Sequence, residues 1–412
     1  MTRVSKTTIT RRAFNVGALA AAATVGAPAI VRAQGARLKV GILVPRSGGQ
    51  APLGQAMQRG HDIVVPILKE LGYPDIEWVN GDTESSIDIA RSTAERMIGA
   101  GCQAMTGCFD SGMTTAVAQV CEQKKTPFVI SIAAAPQITE QGYKYVFRNF
   151  VRAQDIARDA MNLQKELFAA SGKTPKTAIL MHVNDTYGTS AAQAIDRMFP
   201  DFNMPFKIVD KISYDTNARD LSTEVAKAKA SGGELLWVIG RLNDAILITR
   251  EMVKQRWEPL GIVSTGPGWY DDQYRKTLGK LGNYPISTVP WFDPNKALAK
   301  KMLAAYTAKF PDNSPDANCA YAFEASLVLA DAYKRAKSTD ADALADAIRK
   351  TDLKYDETVS IGPGVKFDAK GQNVDLKNAA IQNLDGKPRV VLPKNAAEIA
   401  PVFPMPGWQK RG

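Results

Sequence analysis

Several loops in this chain place polar side chains or bare backbone just after short apolar runs, where the carboxyl ends of strands in an open α/β sheet hold ligands. Cys108-Phe109-Asp110-Ser111-Gly112 follows the run at 103–107 and opens a segment of helical period, 113–121, with Val117, Val120 and Cys121 on one side. The free N–H groups and positive dipole end of such a helix favour an anion. The loop 131–136 (SIAAAP) has small side chains and therefore reachable backbone N–H groups. Farther on, Asn184-Asp185-Thr186-Tyr187-Gly188 and Thr265-Gly266-Pro267-Gly268-Trp269-Tyr270 follow two more apolar runs, and Arg241 follows Trp237-Val238-Ile239-Gly240. Hydroxyls, amides, one guanidinium and flat aromatic walls can hold a small carboxylate. Asp110 or Ser111 also reads simply as a helix cap.

The same residues offer little for bond-making chemistry. The chain has two histidines, His61 and His182, of which His182 lies inside an apolar run. There is no GxSxG elbow, no GxGxxG fingerprint and no phosphate-binding P-loop. No CxxC or HxxxH spacing points to a metal, and no cofactor is implied. Cys102 and Cys108 flank one strand, too far apart to bridge; Cys102 and Cys121 can meet if the helix returns antiparallel, and the cysteines read as buried small apolar residues.

The first 33 residues differ from the rest. Thr10-Arg11-Arg12-Ala13-Phe14 is a twin-arginine pattern, followed by an apolar, small-residue run at 17–30 and by Val31-Arg32-Ala33 at a cleavage position. That run falls short of the roughly 20 residues needed to span a bilayer. It reads as a signal for export to the periplasm, removed near Ala33. These residues carry five bases and no acids, so removal lowers the net charge from +10 to +5. The remaining bases are dispersed among acids, which excludes the basic stripe of a nucleic-acid binder. Export of folded protein from a reducing compartment also argues against dependence on a disulfide.

Positioning the loops requires an α/β fold. Leu38–Val44 reads as a buried strand, the glycine-rich loop 45–54 leads into a helix ending near Leu71, and strand–helix alternation continues to residue 148. Alternation then restarts: a helix over 154–170, strands at Thr177–Val183, 206–212, Leu235–Ile239 and Gly261–Ser264, and helices at 219–230 and 244–255. A strand at 286–289 and helices near 294–310 and 315–336 return to the first lobe, and the tail from 362 reads as irregular with a short strand near 389–392. The expectation is two doubly wound parallel-sheet lobes joined by a multi-strand hinge: residues 36–150 with 287–362, and 151–286 with 363–412. A cleft between them holds the ligand, and the hinge lets them close.

In this order the motifs resemble those of type I periplasmic solute-binding proteins of ABC importers, the leucine/isoleucine/valine class, over essentially the whole mature chain. VGILVPRSGGQAPLG is similar to that family's first strand and loop, GCFDS to its serine-bearing loop, PFVISIAAAPQIT with GYKYVFRNF to its second ligand loop and the run into the hinge, and HVNDTYG to its tyrosine-bearing loop. The resemblance implies a two-lobed binding protein, a monomer, that closes on a ligand and presents it to an inner-membrane permease. A ligand-sensing partner of a membrane receptor would have the same fold. The carboxylate-gripping residues fall on Ser111, Ala133 and Ala135, where Ala135 replaces a hydroxyl-bearing residue; Tyr187 matches the second lobe's tyrosine, and Leu53 an apolar wall. Amino-acid binders also place an acid in the loop after the strand at 261 to hold the ligand's ammonium group, yet this loop has none before Asp271. Because a buried ammonium without an anion costs several kcal/mol, the expected ligand is an aromatic or hydrophobic acid without an α-amino group. A branched-chain amino acid is the alternative. Arg241 would meet the carboxylate, with Asp110, Gly266 and Trp269 alongside. Plainer readings remain for several residues: Arg241 as a solvated hinge residue, Trp269 packed under its own loop, Tyr187 closing a loop, Leu53 as helix-start packing, and Glu324 lining the cleft or facing water.

Overall fold

A computed structural model describes residues 37–411; the export signal and the cleavage point at Ala33 lie outside the described residues. The first strand, β1 (Leu38–Val44), shows why its sheet is covered on both faces. Leu38, Val40, Ile42 and Val44 join one apolar cluster and Leu43 another, as the period-two alternation of a strand requires. Around β1 lie β2 (Ile76–Asp82), β3 (Ala104–Gly107), β4 (Phe128–Ile130) and β5 (Val146–Arg148), all parallel, in the order β2-β1-β3-β4-β5. Helices α2 (Ile87–Gly99) and α3 (Ser111–Gln123) supply Ala90, Ala94, Met97, Met113, Val117 and Val120 to one face, while α1 (Ala51–Glu70) supplies Met57, Ile63, Val64 and Ile67 to the other. All four cysteines are free and buried.

The second sheet has the order β14-β13-β10-β9-β8-β6-β7. Its parallel part comprises β6 (Thr177–Val183), β7 (Lys207–Tyr214), β8 (Leu235–Ile239), β9 (Gly261–Ser264) and β10 (Ile286–Pro290). Five helices accompany it: α4 (Ala153–Ser171), α5 (Thr186–Met198), α6 (Ser222–Ala230), α7 (Leu242–Lys254) and α8 (Asp272–Leu278). The strand expected near 286–289 thus belongs to the second sheet, beside β9, and the chain returns to the first lobe only after it. There α9 (Ala297–Lys309) and α10 (Ala317–Ala336) pack on α1, followed by α11 (Ala341–Arg349) and the antiparallel pair β11 (Asp352–Lys354) and β12 (Gly364–Lys366). The tail carries the short strand expected near 389–392 and is more regular before it than expected. It forms an antiparallel hairpin, β13 (Asn378–Leu384) and β14 (Lys387–Leu392), turned at Asp385 and Gly386 with φ of 50° and 73°. Two consecutive positive φ values are the type I′ geometry that matches strand twist.

Backbone contact between α1 and α10 fixes one side of the first lobe. A Cβ on Gly60 would lie 2.1 Å from the Cys319 carbonyl oxygen. Beside it His61 is buried, with Nδ1 2.7 Å from Ser326 Oγ, and burial lowers its pKa from 6.5 to about 3. A folded pKa below the unfolded one means stability that is fully present above pH 6.5 and lost as pH falls toward 3. Asp271, raised to about 7 by burial and by Asp316, acts in the opposite sense over much of that range. The His61 contribution is therefore expected in a difference: between pH 6 and 4 the stability of wild type minus that of His61→Gln falls by roughly 1.4 kcal/mol per pH unit. Urea titrations across that range measure it; parallel curves for the two proteins would show that His61 titrates normally.

The crossings between lobes are rich in buried polar contacts. Extended bridges pair Arg148 with Gln372 and Phe292 with Ser360. Glu324, on α10, neither lines the cleft nor faces water. It is fully buried, and its carboxylate accepts from Asn149 Nδ2 (3.1 Å) and from the N–H groups of Val359 (2.7 Å) and Ser360 (2.9 Å).

Candidate functional site

The loop after β3 and the loop after β4 meet through side chain and backbone. Asp110 is the N-cap of α3 and accepts from the N–H groups of Gly112 (2.8 Å) and Met113 (3.3 Å). The helix end expected to face an anion is therefore filled by the protein's own carboxylate. Ser111 is buried, and its hydroxyl oxygen accepts from the Ala135 N–H at 3.2 Å. The Ala133 and Ala135 carbonyls are drawn back onto the Arg148 guanidinium at 3.2 and 2.6 Å, and the Ala134 carbonyl accepts from the Ala153 N–H at 2.7 Å. The N–H groups of Ala133 and Ala134, both in buried residues, have no partner among the described residues. Buried backbone donors are nearly always paired, so these two are suited to a ligand acceptor.

The second lobe closes over this loop. Asp185 caps α5 and accepts from the Gly188 N–H at 2.8 Å. Tyr187 donates its hydroxyl to the Thr265 carbonyl, and burial raises its pKa. Arg241 is the N-cap of α7, its backbone N–H donating to Asp244 at 2.8 Å. Its guanidinium joins Asp185 of the same lobe and reaches across to Asp110 of the first lobe at 2.6 Å. Burial works against this charge, but the carboxylates of Asp110 and Asp185 outweigh it and hold the pKa above its ordinary value. Arg241 is thus neither a solvated hinge residue nor a free cation; it is an ion-paired bridge between lobes.

Behind that bridge lies a small interlobe cavity, of a size for a compact ligand rather than a peptide. Phe109, Ile132, Phe150, Ile156, Tyr270 and Val289 supply its apolar wall; Ser111, Tyr187, Arg241, Thr265 and Asn318 supply polar groups. The buried Thr265 Oγ1 has no partner among the described residues. No carboxylate is among the described residues that line the cavity.

Of the residues singled out in the sequence, Ser111, Ala133, Tyr187, Arg241 and Gly266 line this cavity. Ala135 lies just behind, through its bond to Ser111. Asp110 and Leu53 instead border a separate interlobe cleft on the outer side of Arg241. Trp269 is a correction: it is fully buried in the second lobe's own core, with Val238, Ala245 and Tyr274. The tight turn Gly268–Tyr270 sends Trp269 into that core and Tyr270 to the cavity, where Tyr270 meets Trp291 edge-on at 5.1 Å. Phe109, beside Asp110 in the loop after β3, also lines the cavity, and an apolar residue next to a cap carries no sequence signal for that role. Phe150 and Asn318 gave no local signal, because the hinge and the start of α10 bring them in.

Gly266 has a steric reason to be glycine: a Cβ there would lie 2.3 Å from the Gly240 carbonyl oxygen. Gly266→Ala would push apart the two loops that carry Thr265 and Arg241. We expect about a tenfold or larger loss of ligand affinity with little change in fold, read by calorimetry beside circular dichroism; unchanged affinity would mean the loops yield freely.

The sequence profile of the periplasmic binding protein family matches residues 37–386. A leucine/isoleucine/valine-binding protein homologue (homolog 8) of Brucella abortus is 26% identical over 376 residues, covering 88% of this chain and 92% of the relative. Among solved structures, a leucine binding protein, LivK, of Thermotoga maritima superposes with a TM-score of 0.74 at 21% identity, over 86% of this chain and 97% of that one. A solute-binding protein of an R. palustris ABC transporter, in complex with benzoate, superposes with a TM-score of 0.73 at 20% identity, over 88% and 98%.

Proposed function

The chain belongs to the periplasmic binding protein family, solute-binding components of ABC importers and not enzymes, and we propose that its own ligand is a small carboxylate without an α-amino group. The observation that carries this reading is the lining of the cavity: apolar walls, hydroxyls, amide donors and Arg241, with no carboxylate to receive an ammonium group. The ligand's carboxylate accepts from the Ala133 and Ala134 N–H groups and from Ser111, and its hydrocarbon part lies against Phe109, Phe150 and Tyr270. That the benzoate-bound protein shares this fold makes an aromatic acid a reasonable occupant.

Binding is followed by delivery to a permease. Members of this family work outside the cytoplasm with membrane permeases; export through the twin-arginine signal, its removal near Ala33 and action as a monomer belong to the proposal for this chain. A branched-chain amino acid is the competing reading, given the name of the Brucella relative. It would need an anion for the ammonium group, and the carboxylates beside the cavity, Asp110 and Asp185, are already taken by Arg241.

A thermal-shift screen of the mature protein tests this, with aromatic and aliphatic carboxylates, their amides and branched-chain amino acids. A ligand at 100 times its Kd stabilises the fold by about 2.7 kcal/mol. Acids should raise the melting temperature well beyond the smaller shift of their amides, while the amino acids leave it unchanged; a shift with leucine or valine alone would reject the reading.

A further inference from the structure

Arg148, at the end of β5, is fully buried and forms no ion pair among the described residues. Each nitrogen of its guanidinium is spent on a neutral oxygen: Nε on Gln372 Oε1 (2.6 Å), Nη1 on the carbonyls of Ala133 (3.2 Å) and Ala135 (2.6 Å), and Nη2 on Thr139 Oγ1 (2.9 Å). Glu140, Asp155 and Asp368 act on it only at a distance, and Asp155 is already bound by Arg152 and Arg158. Burial lowers its pKa to about 9, which leaves it charged at neutral pH. A buried charge ordinarily has an opposite charge in contact, and this one has none.

Two of its contacts lie in the loop that borders the cavity. By drawing the Ala133 and Ala135 carbonyls onto itself, Arg148 turns that loop's acceptors away from the cavity, and the N–H groups of Ala133 and Ala134 stay without protein partners. The guanidinium's bond to the Ala133 carbonyl polarises the Ala133–Ala134 peptide, whose N–H is the one Ala134 would donate to a ligand anion; its bond to the Ala135 carbonyl, ahead of Pro136, holds the loop in place. Gln372, its partner at Nε, also donates to the carbonyls of Phe150 and Asn373, both 2.7 Å away, on two of the interlobe crossings.

We propose that Arg148 is a positioning residue for anion recognition: it shapes and charges the 133–135 loop from behind, and the ligand's carboxylate is the counter-charge it lacks. The inference rests on the carboxylate reading of the cavity but holds for any ligand that presents a carboxylate to this loop, with or without an amino group.

Two matched pairs, benzoate with benzamide and leucine with leucinamide, test it by calorimetry on the mature wild type, Arg148→Gln and Arg148→Lys. The wild-type titrations decide the ligand class, and the variants decide the role of Arg148. For whichever acid binds, Arg148→Gln should lower affinity by at least about tenfold, while the matching amide changes by less than about threefold. Arg148→Lys keeps the charge and should keep the preference for acid over amide, even if lost hydrogen bonds lower its melting temperature. This second variant decides the matter if Arg148→Gln fails to fold. Equal losses for acid and amide, undiminished acid affinity in Arg148→Gln, or a preference that vanishes in Arg148→Lys would each overturn the proposal.

Discussion

Replacing Arg241 with alanine should weaken ligand binding by about a hundredfold. Its guanidinium is the charged link between lobes, held by Asp110 on one side and Asp185 on the other, with side chains that are 9%, 12% and 16% exposed. Truncating one partner of a buried charge pair typically costs about 2–5 kcal/mol, largely because the other charge is left unpaired. Here two carboxylates would be stranded, and only in the closed arrangement; opening the lobes lets water reach them. The cost therefore falls on closure, and for a ligand in a cavity lined from both lobes it appears in affinity. Calorimetry with the acid that most stabilises the wild type measures the loss, and small-angle scattering at saturation measures the shape. Combining Arg241→Gln with Asp110→Asn should recover part of the loss, because the stranded charge is removed. Wild-type affinity in Arg241→Ala would mean that the bridge is incidental to closure.

A second large effect is expected at Glu324, where the fold rather than the ligand is at stake. Its carboxylate takes three donors, two of them backbone N–H groups at 359 and 360 on the strand that bridges Phe292 at an interlobe crossing. Glu324→Ala leaves those donors buried without acceptors, at about 1–3 kcal/mol each where no water reaches them. A total near 3 kcal/mol lowers the melting temperature by roughly 4 °C in a chain of this length. Glu324→Gln keeps the shape but turns one acceptor into a donor, and should cost about half as much. A melting temperature within a degree of wild type for the alanine variant would show that water replaces the carboxylate.

Much of the fold was legible because its signals are local. Strands buried on both faces read as unbroken apolar runs, as at Leu235–Ile239 and Thr177–Val183, and the structure returns those bounds. At the tail the strand near 389–392 was legible but its hairpin partner was not, although Asp385-Gly386 carries the turn signal; the residues before it, NAAIQNL, lack the alternation of a half-buried strand because all seven are buried. Placement of the strand at 286 also failed, since nothing in its own residues says which sheet it joins. Ser111, Tyr187 and Gly266, which line the cavity, lie in loops that follow recognisable strands. Arg241 was found as a cation, but its partners come from positions 110 and 185, and such pairing is a tertiary fact. Trp269 and Tyr270 were adjacent equals in the sequence, and only the turn decides which one faces the cavity. Arg148 drew no notice as a residue of β5, because its meaning lies in the loop packed above it.

The amino group of the ligand is the central issue, and one matched pair isolates it. Leucine and 4-methylpentanoate share a carboxylate and a branched chain and differ by one ammonium group. Isothermal titration of the mature protein with both compares their affinities directly. A cavity lined by no carboxylate should bind 4-methylpentanoate at least about a hundredfold more tightly than leucine, since an unpaired buried ammonium costs several kcal/mol. Tighter binding of leucine would contradict the account, and would mean that Asp110 or Asp185 leaves Arg241 to receive the amino group.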